Sequence, residues 1–313
     1  MRVKNAFKVL LSNFGLIYKA AFARFICTAI FVLCGYLLLN KNLYPIITAE
    51  ESKNLVYAVR DVFIKFFAGE GINTHAIPEA FNAFMAMLSG ENAGNLFMII
   101  TETLATLFIL RVAYQTGEYA FGKIINGYMS ARTHFGFITT LLFDFGRALA
   151  YAVIYVLISL ILETAIIVIT IAILINTIEV ISIGALLISI FFLVISSTFK
   201  YCLLSSFLPN MVTGKMGIIK ALSRTVPHTK KHFSSLFGSY FFMIILFFYL
   251  NVTIMVFTFF MGLILTLPLT SLYYTTVSLV DYYHVKGKKY YADDDHIIVE
   301  KSIKEDAELT KFM

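Results

Sequence analysis

The chain has no tryptophan, few charges, only three cysteines and only five prolines in 313 residues. Without Trp, any aromatic belt at a lipid interface must be built from the 18 Tyr and 31 Phe. The cysteines exclude a disulfide framework and a thiolate metal centre. Cys27 and Cys34 lie inside the first apolar run and Cys202 ends a later one, with no CxxC or Cys/His spacing, so they read as small apolar core residues. Charged residues make up 14% and hydrophobic residues 59%, whereas a soluble domain carries about a quarter charged residues. With a mean hydropathy of +0.82, the chain is too apolar to stay in water. The surplus of base over acid, 25 Lys and Arg against 19 Asp and Glu, sits beside apolar runs. It reads as an orientation signal facing anionic headgroups, and nucleic acid is not an expected partner.

Long apolar runs are what the sequence does have. A helix needs about 20 apolar residues to cross hydrocarbon, where only an internally hydrogen-bonded backbone is tolerated. Four runs qualify: Phe22 to Leu39, Leu96 to Tyr114, Ala148 to Ile175 and Ile181 to Leu208. Between Ser235 and Tyr283 the only formal charge is Asp281, a length that suits two spans joined near Phe257 to Gly262. The expected fold is therefore all-α, a polytopic bundle of about six transmembrane helices. The basic start MRVKNAFKVLL resembles a signal peptide, but the run that follows is too long and lacks a cleavage site, so an uncleaved first span is expected.

Orientation follows from the charges in the gaps. Arg2, Lys4, Lys8, Lys19 and Arg24 precede the first span without an acid, and the gap before the second span is net acidic. Arg111, Lys123, Arg132 and Arg147 outweigh Glu118 and Asp144 in the next gap, and only Glu179 lies in the short connection around Asn176 to Val180. Lys200, Lys215, Lys220, Arg224, Lys230 and Lys231 then follow with no acid. The counts place both termini in the cytoplasm of a multi-pass plasma-membrane protein of bacterial type. Residues 1–289 are expected to form one six-span membrane domain, and 290–313 an acidic, disordered cytoplasmic tail.

Several segments carry more than length. Leu55, Val56, Val59, Val62, Phe63, Phe66 and Phe67 recur at helical spacing. Gly69-Glu70-Gly71 ends that helix, and Pro78-Glu79 opens a second. An outer amphipathic hairpin over about 50–90 follows, resting on the leaflet or capping the bundle. Gly117, Gly122, Gly127 and Gly136 suggest close helix packing, because no strand leads into a GxxxxGK[ST] loop. In GIIKALSRTVPHTKKHF, Ile218, Ile219 and Leu222 would face the membrane, while Lys215, Lys220, Arg224, Lys230 and Lys231 would contact headgroups from an interfacial helix. His228 and His232 sit four apart with no carboxylate or cysteine nearby in sequence, so no metal site is expected.

Ionisable groups in hydrocarbon cost about 2.5 to 3.5 kcal/mol, which makes them site candidates. Glu102 and Glu163 stand inside the second and third runs, and Asn251 inside the fifth. The carboxylates would either bind a cation or relay protons, or be bonded to Tyr, Thr or Asn of neighbouring helices. Asn251 suits an interhelical hydrogen bond better than its Asn-Val-Thr sequon suggests. Asp144 and Arg147, three apart, suggest a local pair.

AFKVLLSNF, FLPNMVTGKMGIIKALSRTVPHTKKHFSSLFGSYF and LPLTSLYYTTVSLVDYYHVKGKK together resemble the six-helix membrane domain attached to some glycerophosphodiester phosphodiesterases and its bacterial relatives. Phe207, Pro209, Ala221, Leu222, Arg224, Tyr282 and Tyr283 occupy the places that carry the likeness, with Thr225 where Ser is expected. The resemblance implies a six-helix membrane fold. It implies no lipid hydrolysis, because the soluble catalytic domain with its carboxylate and His metal site is missing. The expected function is that of a non-enzymatic, cofactor-free membrane protein that organises, senses or supports other membrane components. Its partners would be lipids, and a protein partner or a second copy. The alternative is a small transporter or permease subunit using the intramembrane carboxylates.

Overall fold

In a computed structural model, residues 2–68, 76–90, 93–133, 135–181, 183–258, 261–293 and 296–298 are described. The fold is all-α, with six helices long and apolar enough to cross a membrane. In chain order the helices are α1 (Arg2–Ser12), α2 (Gly15–Thr48), α3 (Glu50–Ala68), α4 (Ala76–Ser89), α5 (Ala93–Ala131), α6 (Phe137–Phe143) and α7 (Phe145–Ile181). They continue with α8 (Ile183–Leu204), α9 (Phe207–Val212), α10 (Ile218–Phe257) and α11 (Leu263–Val285). The short strands β1 (Tyr290–Tyr291) and β2 (Ile297–Ile298) pair antiparallel. The chain separates into two compact units, Cys27–Leu110 and the remainder.

The smaller unit contains the amphipathic pair expected over 50–90, with α3 packed on α4. Leu55, Val59 and Val62 are half-buried and Val56 is exposed, as an apolar stripe one residue out of phase requires. The Gly69-Glu70-Gly71 stop lies outside the described residues.

In the larger unit α11 is the central helix. Its most apolar stretch is 56% buried, against 6% for the corresponding stretch of α7. Leu272, Tyr273, Val277, Leu279 and Val280 of α11 join Ile125 and Met129 of α5 and Tyr240 and Met243 of α10 in one core. Gly122 lets α5 approach α9, because a Cβ there would lie 2.7 Å from Leu208 Cδ2. The turn between the fifth and sixth spans falls after Phe257 and before Leu263, where the length argument put it.

Four local expectations are corrected. The third span does not break at Asn176, because α7 continues to Ile181 and no Pro or Gly interrupts the stretch from Ile175 to Ile181. Asp144 pairs with Lys123, not with Arg147, because tertiary packing brings α5 to the start of α7. Of Ile218, Ile219 and Leu222, only Ile219 is outward, at 84% exposure. Ile218 and Leu222 pack on a cluster containing Tyr119, Tyr151, Phe207 and Ala221. Hydrogen bonds stitch this half of α10 to α8 and α9: Asn210 Nδ2 to the Ala221 carbonyl at 3.1 Å and Thr229 Oγ1 to the Cys202 carbonyl at 3.0 Å. Non-helical backbone at His232 (φ −120°, ψ 18°) then separates the segment from the span that continues it.

The fourth correction concerns the start of the tail. Instead of leaving as disordered chain, Tyr290–Tyr291 and Ile297–Ile298 pair as β1 and β2, and Tyr290 and Asp293 reach back to α1. Tyr290 is 2% exposed, its hydroxyl accepts from Asn5 Nδ2 at 2.9 Å, and Asp293 lies 3.4 Å from Lys8 Nζ. Arg2 pairs with Asp281, and the Tyr273 hydroxyl donates to the Val3 carbonyl at 2.8 Å. The start of the acidic tail thus faces the basic N-terminal helix. The rest of the expected tail, 299–313, lies outside the described residues.

Candidate functional site

Tyr151, Tyr155, Ser159 and Glu163 recur every four residues along α7 and so share one helical face, over about 18 Å of axis. Arg111, Gln115 and Glu118 do the same on α5 at spacings of four and three. These polar stripes are turned inward in two otherwise apolar helices. They meet Lys200, Tyr201 and Ser205 of the α8 region, Tyr240 of α10, and Ser271, Tyr274, Thr275 and Ser278 of α11. Arg24 enters from α2.

Two carboxylates organise this interior. Glu163 Oε1 accepts from Lys200 Nζ at 2.7 Å and from Ser159 Oγ at 2.9 Å, while its Oε2 lies 2.6 Å from Arg111 Nη2. Glu118, 5% exposed, pairs with Arg24 and accepts from Ser271 Oγ at 2.7 Å and Thr275 Oγ1 at 3.0 Å. Arg24 Nη2 also reaches Ser271 Oγ at 2.5 Å. Aromatic faces serve the cations: Lys200 Nζ is 4.7 Å from the Tyr201 ring centre and Arg24 Cζ 5.4 Å from that of Tyr114. Each carboxylate therefore takes three protein donors, which offsets the cost of holding a charge away from water.

Around these groups are two adjoining cavities. One of about 110 Å³ is lined by Glu118, Tyr151, Tyr240, Tyr274, Ser205 and Ser278, among others. The second, about 170 Å³, is lined by Arg24, Arg111, Lys200, Glu163 and Ser159, among others. Gln115, Tyr155 and Tyr201 border both. Tyr151 and Tyr240 are 3% and 1% exposed. Yet the hydroxyls of Tyr151, Tyr155, Tyr201, Tyr240 and Tyr274 make no hydrogen bond to any described residue. A phenol in an apolar setting ordinarily finds a polar partner.

Of the residues expected from sequence, Glu163 belongs to this chamber. Glu102 lies in the smaller unit, where Asn42 Nδ2 is 3.3 Å from both of its carboxylate oxygens. Asn251 makes the expected interhelical hydrogen bond, Nδ2 to Thr270 Oγ1 at 3.3 Å. Lys215, Lys220, Arg224 and Lys230 are exposed, as headgroup contacts require. The side chains of Lys231 and His228 lie outside the described residues. Among the described residues no three His, Cys, Asp or Glu side chains group as metal ligands.

Counting charges missed Arg24, Arg111, Lys200 and Glu118, which it assigned to the segments flanking the spans. The polar spacing inside α5 points to Arg111 and Glu118, whereas no local spacing marks Arg24 or Lys200. The phrases that carry the family resemblance prove to be packing residues. Phe207 and Ala221 are fully buried, and Tyr283 donates at 3.0 Å to Asn126 Oδ1, which also takes Thr213 Oγ1 at 2.6 Å. Comparison with protein-family models, curated proteins and solved structures gave no match.

Proposed function

We propose that this protein is a small membrane carrier or permease subunit that admits a polar solute or headgroup to the chamber between α5, α7, α8, α10 and α11. The observation that carries the reading is the set of tyrosine hydroxyls on cavity-lining residues, Tyr151 and Tyr240 buried and Tyr155, Tyr201 and Tyr274 half-buried, that make no hydrogen bond to any described residue. A bundle built only to hold its shape could carry Phe at these positions, because the hydroxyls add no bond within the described residues. In this reading Glu118 and Glu163 neutralise the neighbouring cations and carry no catalytic step. Residence in a bacterial plasma membrane with both termini cytoplasmic belongs to the same proposal, as does kinship with the six-helix membrane domain named above.

A scaffolding role that organises other membrane components is the second reading. It is favoured by one observation, that both chamber carboxylates already have partners within the chain. Water access decides between the two. With Cys27, Cys34 and Cys202 replaced by Ala, Ser205→Cys and Ser278→Cys in native membranes should react with a water-soluble maleimide, because only a hydrated thiol ionises. Leu267→Cys, on an exposed apolar position, is the lipid-facing control. If all three resist labelling, the chamber is closed to water and the scaffold reading stands.

A further inference from the structure

The chamber's unmet chemistry has a sign. Its two carboxylates are saturated by protein donors, three each. What remains is a set of tyrosine hydroxyls able to donate or accept, together with three cations against two anions, an excess of one positive charge. Arg111 keeps 42% of its side chain accessible, against 10% for Lys200, so its guanidinium has directions free beyond Glu163. A planar fork of five N–H donors suits a second oxyanion as well as the first. Tyr155 and Tyr201 stand in the wall common to both cavities.

Resting on the carrier reading above, we infer that the ligand is a small oxyanion, a phosphate or phosphate ester, held by Arg111 and by the hydroxyls of Tyr155 and Tyr201. An ammonium ligand would meet an excess positive charge, with only neutral phenol oxygens as acceptors free of protein donors. An oxyanion brings acceptors to donors and neutralises the excess. The same chemistry is offered by a free phosphate and by the phosphodiester of a lipid headgroup, and the test separates them.

The purified full chain is titrated in detergent with inorganic phosphate, with dioleoyl phosphatidylglycerol, and with choline chloride as the cationic control, reading the thermal midpoint. Phosphate or phosphatidylglycerol should raise the midpoint by several degrees, and whichever acts names the source, while choline should not. Tyr155→Phe with Tyr201→Phe should weaken the effect by about ten-fold or more in concentration without lowering the ligand-free midpoint, since neither hydroxyl is bonded to the described protein. Arg111→Gln should abolish it. A shift by choline alone, no shift by either anion, or an anion shift undiminished in the double Phe variant would each overturn the inference. If Ser205→Cys and Ser278→Cys label while neither anion acts, the chamber is real and only the ligand class is wrong. If they do not label, the carrier reading itself has failed.

Discussion

Lys200 Nζ on α8 lies 2.7 Å from Glu163 Oε1 on α7, with Arg111 of α5 on the other carboxylate oxygen at 2.6 Å. One acid thus joins three spans. An anion in the apolar middle of α7 is compatible with the fold because two cations reach it from neighbouring helices.

Glu163→Gln leaves Lys200, with only 10% of its side chain exposed, without its counter-ion. We expect a loss of roughly 2 to 3 kcal/mol, below the full cost of breaking a buried pair because Arg111 is partly accessible and screened. Adding Lys200→Met to Glu163→Gln should recover part of that loss. A double-mutant cycle by thermal or denaturant unfolding in detergent measures the coupling, and additivity of the two single changes would contradict the pairing.

Arg2→Gln removes the ion pair to Asp281, a residue 3% exposed. The expected outcome is faster amide exchange across α1 and the β1–β2 hairpin, and unchanged exchange in α7. Uniform acceleration through the whole larger unit would show that the terminal latch is part of the global fold and not a separate unit of opening.

Burial pushes the Tyr290 phenol up to about 12, the largest effect on it, with Asn5 and Arg2 acting in the opposite direction. The unfolded phenol titrates at about 10, so above that pH the unfolded state binds fewer protons than the folded one and stability falls as pH rises. Its contribution is fully present below pH 10 and is lost progressively toward 12, with a slope of at most about 1.4 kcal/mol per pH unit. Stability measured from pH 8 to 11 should therefore fall less steeply in Tyr290→Phe than in wild type. Parallel curves would refute the assignment.

Gly122→Ala places a Cβ 2.7 Å from Leu208 Cδ2. Because the obstacle is the end of a flexible side chain, α9 should repack at a cost of about 1 kcal/mol, whereas Gly122→Leu should cost 3 kcal/mol or more. Thermal midpoints of the two variants check the order.

Topology has its own measurement. A reporter active only in the cytoplasm should be active when fused after Met313 and silent when inserted near Asn73. The reverse pattern would invert the orientation, and one active with one silent at opposite ends of the chain would refute an even number of spans.

Much of this was legible along the chain. Six apolar stretches, the amphipathic pair over 50–90 and the turn after Phe257 follow from length and periodicity, because lipid demands a minimum helix and a helix repeats every 3.6 residues. Glu163 stood out for the same reason, as a charge where hydrocarbon surrounds it. Arg111, Glu118 and Lys200 did not, since a charge near the end of an apolar run looks like a headgroup contact when runs are scored one at a time. Tyr151 and Tyr155 carry no charge that would mark them within an apolar run.

The sequence alone determined which stretches leave water, because transfer free energy sums over neighbouring residues and needs no partner. Only the tertiary structure decided that Arg24 belongs to Glu118, that Arg111 and Lys200 belong to Glu163, and that the tail returns to the first helix. Pairing is a property of distance between residues far apart in sequence, up to 285 positions for Asn5 and Tyr290. No local pattern records which helix a buried charge will face.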